Sequence, residues 1–416
     1  MESNPHVVVI GAGVTGALVS YKALQAGCHV TCVEARSIGA GSSSRSAACV
    51  RAQWGTEANV RAMRRSIRFY KKLPKLLGCP HVQMIRQNGY LYVCATDEEM
   101  AVRRELYLLQ RNAGLQEVEL LDGEETCKRF SHINRDIRGA TFCSIDEFCI
   151  PANIYGEVFD YCKLDPDFEL LVNAPVIRVK CEASRVVSVI TPSDEIEGDL
   201  FVNATNAWAP RVARLFHEEG EREYGQLPIS PEKRFLHFLR VGDSWPQKEF
   251  RALPMTVFPT GAYCRPDNAH LLIGWEEETS ADPNFSYEDQ DLISSGYGHV
   301  GENSHGFRTW AEIARWSEKI ANLPGMERTT SGYYGVTPDR HHIIDYDRVV
   351  DNLIHVAGCS GHGIMSAPFN ADAVLHLISV GKGGSRTMNL EDGAFDLLPF
   401  ALDPTKRLGV VDPTHL

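Results

Sequence analysis

The feature that most restricts the fold lies in the first 34 residues. The run His6–Ile10 is continuous, apolar and of strand length, and it meets Gly11-Ala-Gly13-Val-Thr-Gly16 without a spacer. Thr15–Ala26 then reads as a helix, with Ala17, Leu18, Tyr21 and Leu24 on one face and Gly27 as a stop. A second β-rich run, His29–Val33, ends at Glu34, 18 residues after the third glycine. A GxGxxG alone is weak, but strand, glycine turn, helix, strand and acid in this order specify a dinucleotide-binding βαβ unit. Gly11 permits the tight turn, Gly13 lets backbone approach a pyrophosphate, and Gly16 lets helix pack on strand. The helix N-terminus, with Val14 and Thr15 at its start among the residues expected on the cofactor, offers free N–H donors and a positive dipole end to that anion. Glu34, followed by Ala35 and Arg36, can accept hydrogen bonds from both ribose hydroxyls and would repel a 2′-phosphate, which argues against NADP.

The rest of the chain divides into recognisable stretches. Asn59–Leu77 has a helical apolar stripe of Val60, Met63, Ile67, Tyr70 and Leu73 beneath a solvated Arg/Lys face. Gly89–Ala95 reads as a strand, Asp97–Ala113 and Asn153–Cys162 as helices, and 170–205 as β-rich. Leu200–Trp208 is a strand running into a small-residue turn, and 227–275 reads as strands separated by Pro/Gly turns. Positions 276–308 are polar and irregular, Thr309–Asn322 reads as a helix, and a second strand–glycine–helix passage runs through Leu353–Ala357, Gly358–Gly363 and Ala367–Val380. Residues 382–416 are expected to wrap as an extended tail.

Composition narrows the class. With 416 residues, 44% hydrophobic and 23% charged, the chain is an ordinary globular protein of two or three units. A net charge of −12 without a basic tract makes nucleic acid an unfavourable partner. No apolar run reaches bilayer length, and no basic n-region with a cleavage site opens the chain, so a cytoplasmic protein is expected, with mitochondrial matrix or peroxisome left open. The 12 cysteines are scattered without a CxxC, and are expected to be buried reduced thiols; no metal site is expected. Only one GxGxxG is present, so a second site for NAD(P)H is not indicated, and a disulfide reductase's cysteine pair is missing. If the dinucleotide is FAD, electrons should come directly from an organic substrate; the strands after Cys181 look like an antiparallel substrate domain rather than a continued parallel sheet, which favours FAD.

Five motifs in order carry a resemblance. They are Val8–Gly16; Glu34 followed by Gly41-Ser-Ser-Ser-Arg-Ser-Ala-Ala48; Val202–Trp208; Gly335-Val-Thr-Pro-Asp339; and Gly358-Cys-Ser-Gly-His-Gly-Ile-Met365. On these the chain resembles the D-amino-acid oxidase (DAO) family of FAD-dependent amine oxidoreductases, nearest to sarcosine oxidase β-subunit-like and D-amino-acid dehydrogenase-like proteins. The resemblance implies an α/β fold (α+β overall): a Rossmann-like FAD-binding domain of the glutathione-reductase type, with an interleaved antiparallel-sheet substrate domain. The expected division is 1–85, 146–226 and 325–381 for FAD, and 86–145 and 227–324 for substrate.

It also implies the site. Ser42, Ser43, Ser44, Arg45, Ala47 and Ala48 pass over the flavin; Val176 meets the adenine; Ala204, Thr205 and Trp208 flank the cofactor. Gly358, Gly361, His362, Gly363, Ile364 and Met365 bring a helix N-terminus to the pyrimidine edge, where a positive dipole end stabilises the charge of reduction. Arg51 aligns with an arginine that binds the substrate carboxylate, a job suited to a guanidinium fork. Tyr334 aligns with an active-site tyrosine, His362 faces the flavin, and Tyr263 and Arg265 are weaker substrate candidates. Gly332 replaces a flavin-linking cysteine and Arg45–Ser46 lacks a linking histidine, so FAD is expected to be noncovalent. Leu272 replaces an oxygen-activating lysine, Met365 a second carboxylate-binding lysine and Glu276 a histidine, and Asn206 stands where relatives often have glycine, so the pocket is not expected to be built for sarcosine itself.

The expected reaction is oxidation of a C–N bond in an amino acid or secondary amino acid by hydride transfer to flavin N5, followed by imine hydrolysis. The electron acceptor would be O₂ or another carrier, and the chain could be a subunit of a hetero-oligomer. Two alternatives stand beside it: a 2-hydroxy-acid dehydrogenase of the same superfamily, using a base such as His362, and a non-catalytic flavoprotein assembly factor.

Overall fold

In the computed structural model, which describes residues 4–134, 136–217, 227–276, 287, 290, 298 and 300–407, two large sheets organise the chain. The first has six strands in the order Ile343–Tyr346, Leu353–Ala357, Leu200–Asn203, His6–Ile10, His29–Val33 and Phe168–Leu171. Every neighbouring pair is parallel except the edge strand Ile343–Tyr346 on Leu353–Ala357. Parallel strands need both faces covered, which explains the unbroken apolar runs Val7–Ile10 and Leu353–Ala357, all buried. Helix Val14–Gln25 crosses over from His6–Ile10 to His29–Val33 and packs against Pro151–Cys162 and Gly363–Val380.

The second sheet has eight strands in the order Met326–Val336, Ser230–Arg240, His270–Gly274, Tyr263–Asp267, Met255–Val257, Tyr90–Cys94, Gly139–Cys143 and Val118–Asp122. It is antiparallel apart from the Met255–Val257 and Tyr90–Cys94 pair, and carries its own apolar core around Leu91, Phe142, Leu271, Ile273 and Phe250. The boundary expected at 325 falls elsewhere in this architecture. Met326–Val336 pairs along its length with Ser230–Arg240 and belongs to the antiparallel sheet, so the chain returns to the parallel sheet only at Ile343.

Several local expectations shift for identifiable reasons. The Thr309–Asn322 helix is two, His305–Ala314 and Glu318–Ala321; Ser304 and Ser317 each accept the amide of the third residue on, so each starts a helix of its own. The last long helix begins at Gly363, ahead of Ala367, and runs through Pro368 in its second turn. The tail is not simply extended: Thr387–Leu390 and Gly393–Asp396 form an antiparallel hairpin. The basic face of helix Glu57–Leu76 is solvated at Lys71, Lys72 and Lys75, as expected, but its arginines are half-buried, and Arg61, Arg64 and Arg68 grip that hairpin's turn. Asp392 takes Arg61 at 3.2 Å and Arg64 at 3.3 Å, and Glu391 takes Arg68 at 3.4 Å. No disulfide joins any of the 12 cysteines, and all but Cys127 and Cys181 are buried. Most of 276–308, and the chain beyond 407, lie outside the described residues. Among the described residues no helix is long and apolar enough to cross a membrane.

Candidate active site

A cavity of about 500 Å³ opens at the C-terminal ends of the parallel strands and is lined by Gly11, Gly13, Val14 and Thr15 of the glycine turn. Each glycine has a distinct reason to be there. Gly11 stands at φ +106°; a Cβ on Gly16 would lie 1.8 Å from the Gly11 carbonyl oxygen, and one on Gly13 would lie 2.9 Å from Ser43 Oγ. Gly16 therefore serves packing and does not line the cavity, whereas Gly13 keeps its wall open. No side chain caps helix Val14–Gln25 from its N-cap, Gly13, although the Val14 amide donates to Ser43 Oγ at 3.0 Å. Glu34 reaches into the same cavity with a fixed carboxylate, one oxygen accepting the Ala12 amide at 2.8 Å and the other the Arg36 amide at 2.9 Å. Ala35, Arg36, Val176, Ala204, Thr205 and Trp208 complete this end.

The serine segment forms a partition. Ser42 and Ser43 line the large cavity, and Ser42 Oγ donates to the Tyr333 carbonyl at 2.6 Å. Ser44 and Arg45 instead line a second cavity of about 270 Å³, with Arg86, Arg265, Arg328 and Leu272. Arg45 is expected on the cofactor, but its guanidinium braces its own turn, donating to the Ala40 carbonyl at 2.5 Å and to Ser44 Oγ at 3.1 Å. Arg265, a substrate candidate, is also turned to bracing: its Nε donates to the Ala47 carbonyl at 2.6 Å and its Nη1 to Pro266 and Asp267. Ala47 packs beside the apolar cluster of Cys49, Tyr90, Tyr92 and Phe148, and Ala48 is buried at φ +56°, a conformation L-residues rarely take.

At the other end, Gly361, Gly363 and Ile364 line the large cavity, while Gly358 packs on Thr337 and Met365 is buried in the core. His362 is the N-cap of helix Gly363–Val380, only 7% exposed, and meets Trp54 edge-on at 4.6 Å. Trp54 in turn lies under the Arg51 guanidinium at 4.2 Å. Arg51 is 2% exposed and donates to the Gln53 carbonyl at 3.1 Å and to the Tyr92 hydroxyl. Arg51, Trp54 and His362 thus form a continuous stack leading to the cavity-lining helix, although Arg51 and His362 do not themselves line the cavity.

Tyr334 lines it, its ring so close that a Cβ on Gly361 would lie 2.5 Å away. Tyr263 is in hydrogen-bond contact with Tyr334, and Arg234 lies 5.4 Å from the Tyr334 ring. Burial pushes the Tyr334 hydroxyl up to about 12, so it is a neutral donor at ordinary pH. Glu276 accepts Arg234 at 2.7 Å and Arg340 at 2.9 Å; burial opposes its charge, but the two guanidiniums hold its carboxyl below the usual range.

Sequence reasoning marked Asn206 only as a departure from the family's glycine, and passed over Gln290 and Tyr333. Asn206 stands at φ +47° and accepts the Cys359 amide at 3.1 Å, tying the turn after Leu200–Asn203 to the second glycine passage. Gln290, 1% exposed, donates to the Ala40 carbonyl at 3.2 Å. Tyr333 lines the cavity beside Tyr334. Gln290 and Tyr333 left no local signal; Asn206 did, and its positive φ accounts for the glycine that relatives often have there.

A parallel sheet with a glycine turn, a fixed carboxylate at the end of the second strand and a long cavity at the strand ends, covered by an antiparallel sheet, defines a dinucleotide-dependent oxidoreductase of two-sheet type. The donor set fits FAD: uncapped helix N-termini at both ends, a carboxylate at one, and a Gly13 where any side chain would intrude. Residues 6–377 match the family described as FAD dependent oxidoreductase (DAO), and the chain belongs to that family. FAD is its cofactor.

Over 435 aligned residues, 94% of this chain and 81% of the relative, it is 25% identical to FAD-dependent oxidoreductase domain-containing protein 1 of Xenopus laevis. Among solved structures, L-proline dehydrogenase from P. horikoshii superposes with a TM-score of 0.75 at 25% identity, covering 92% of this chain and 95% of that one. Glycine oxidase from Geobacillus kaustophilus superposes at 0.76 with 20% identity, covering 96% and 99%, a likeness of fold.

Proposed function

We propose that the protein oxidises the C–N bond of an amino acid or N-substituted amino acid, with Arg51 binding the substrate carboxylate. The observation that carries this reading is the Arg51 guanidinium itself, 2% exposed and laid on Trp54 at 4.2 Å, one ring away from the N-cap of the cavity-lining helix. A guanidinium so placed binds a planar carboxylate by two parallel N–H donors far better than it would bind an alcohol or a neutral amine. The structural likeness to an L-proline dehydrogenase supports the same substrate class.

FAD supplies the two-electron acceptor for the substrate C–H. The chain's own residues bind and orient. Arg51 fixes the carboxylate, which places the α-carbon in front of the cofactor cavity. Tyr334 and Tyr263 remain protonated because burial raises both, so they offer neutral hydrogen bonds and take no proton from the substrate. No general base is required: the substrate reacts as the neutral amine, and water hydrolyses the released imine to a keto acid or aldehyde plus an amine. The N-terminus of helix Gly363–Val380 favours negative charge at its end of the cavity. FAD is held noncovalently in this reading, and Gly332 supports it. A Cβ there would lie 2.8 Å from the Arg45 Cβ, leaving no room for a linking cysteine.

The test is an anaerobic visible spectrum of the FAD-loaded protein with L-proline, glycine and N-methylglycine. Bleaching by a carboxylated amine is expected, and Arg51→Ala should raise its half-saturating concentration by about 100-fold. A flavin spectrum that no amine bleaches, or bleaching unaffected by Arg51→Ala, overturns the reading.

A further inference from the structure

We propose that Asp146 is the positioning residue for Arg51: its carboxylate holds the Arg51–Trp54 loop and so aims the guanidinium. This deepens the reading of Arg51 as the carboxylate anchor and rests on it. Residues 51–54 belong to no helix or strand, so nothing regular fixes them. The short ladder Cys49–Val50 on Glu147–Phe148 ends just before them, with Val50 opposite Glu147. One residue further along the partner strand, the Asp146 side chain takes over where a ladder carbonyl would be. Its Oδ1 accepts the Ala52 amide at 2.7 Å, and its Oδ2 accepts Gln53 Nε2 at 3.1 Å.

The same residue is tied to the wall beside the loop. The Gly89 amide donates to the Asp146 carbonyl at 2.9 Å, and Gln53 Nε2 also donates to the Tyr90 carbonyl at 3.0 Å. Tyr92, two residues on, receives Arg51 Nη1 at its hydroxyl, and the Gln53 carbonyl accepts from the same Nη1 at 3.1 Å. The guanidinium therefore leans on two groups that Asp146 locates, one through Gln53 and one through the Tyr90–Cys94 strand. Trp54 closes the loop by donating its indole N–H to the Arg51 carbonyl at 3.0 Å.

Asp146 is fully buried, and among the described residues it has no ion-pair partner. Burial pushes its carboxyl up to about 7, while the Ala52 amide, the Gln53 side chain, the Cys143 thiol and the nearby Arg51 charge pull it back down. A buried carboxylate is costly unless its N–H donors and the guanidinium beside it are in place. The charge and the loop geometry consequently require each other. Asparagine at this position would set an NH₂ group against Gln53 Nε2, two donors facing, and would loosen the loop without leaving a void.

The experiment uses FAD-loaded protein and two probes, benzoate and its neutral counterpart benzamide, each titrated against the visible flavin spectrum. Asp146→Asn should weaken benzoate about tenfold and leave benzamide within about twofold. Arg51→Ala should weaken benzoate further, and the double variant should be no weaker than Arg51→Ala alone, because Asp146 acts only through Arg51. Gln53→Met, which keeps the buried carboxylate, should shift benzoate in the same direction as Asp146→Asn and serves if the latter fails to fold.

Benzoate affinity unchanged in Asp146→Asn (in Gln53→Met if that variant does not fold), with Arg51→Ala still weakening it, overturns the positioning role and leaves Arg51 as anchor. Additive losses in the double variant overturn it too. Benzoate affinity indifferent to Arg51→Ala, or no benzoate binding by the unaltered protein, overturns the Arg51 reading and this one with it.

Discussion

Glu147 is the next residue along from Asp146, and it makes the opposite bargain with burial. It is fully buried, and among the described residues neither carboxylate oxygen has a hydrogen-bond partner. Burial pushes its carboxyl up to about 8; Lys71 pulls it back and Asp146 pushes it further. Between the ordinary value of 4.5 and about 8 the unfolded chain has released this proton while the folded chain holds it. Stability from this group is therefore full below 4.5 and is lost as pH rises towards 8, at about 1.4 kcal/mol per pH unit. At pH 7 the accumulated loss is about 3 kcal/mol.

Glu147→Gln keeps the shape and removes the titration. The variant should match the unaltered protein at pH 4.5 and exceed it by about 3 kcal/mol at pH 7. At roughly 2.1 cal/mol/K per residue, a chain of 416 residues converts that into a Tm gain of about 3 °C. Thermal and urea unfolding of the FAD-loaded protein at the two pH values checks it. Equal differences at both pH values, or a variant less stable at pH 7, would refute the argument from the unpartnered carboxyl.

Two further substitutions probe the cofactor turn and the tail. Gly16→Ala forces a methyl group to within 1.8 Å of the Gly11 carbonyl oxygen, so it should yield insoluble or FAD-free protein. Gly13→Ala meets only Ser43 Oγ at 2.9 Å, so it should keep its far-UV circular dichroism while FAD affinity, followed by flavin fluorescence, drops about tenfold. Asp392→Ala removes the shared partner of Arg61 and Arg64, each about 17–18% exposed. It should cost about 1 kcal/mol in urea unfolding at low salt and almost nothing at 1 M NaCl, since partly exposed pairs are screened.

The dinucleotide half of the site was legible because its signal is local. Strand, turn, helix and acid lie within 34 residues, and each glycine's reason can be read against its neighbours in sequence. What escaped is long-range. Arg265 reaches Ala47 across 218 residues, and Arg61 and Arg64 reach Asp392 across more than 300, so neither a bracing arginine nor a gripped tail leaves a local pattern. An arginine on a substrate-domain strand and a basic helix face each had a plausible local reading, and in both cases a backbone carbonyl or an acid far along the chain decided the matter. The misplaced boundary at 325 has the same origin: Met326–Val336 carries a motif of the cofactor side but hydrogen-bonds along Ser230–Arg240.

These distant ties converge on one short segment, Ala40–Ala48. From the antiparallel sheet, Arg265 holds the Ala47 carbonyl and the Tyr333 carbonyl accepts Ser42; from beyond the strands, Gln290 holds the Ala40 carbonyl. From the parallel-sheet side, the first turn of helix Val14–Gln25 donates to Ser43; from the short antiparallel strand Glu147–Cys149, Cys149 donates its amide to the Ala48 carbonyl at 2.7 Å. Ala48 sits in the left-handed region at φ +56°, a conformation that costs an alanine about 1 kcal/mol or more and persists only where the surroundings over-determine it. The strand Cys49–Val50 and then Arg51 follow directly. The cofactor wall and the proposed carboxylate anchor are thus one continuous stretch of chain, held from both sheets, so a shift of the wall would carry the anchor with it.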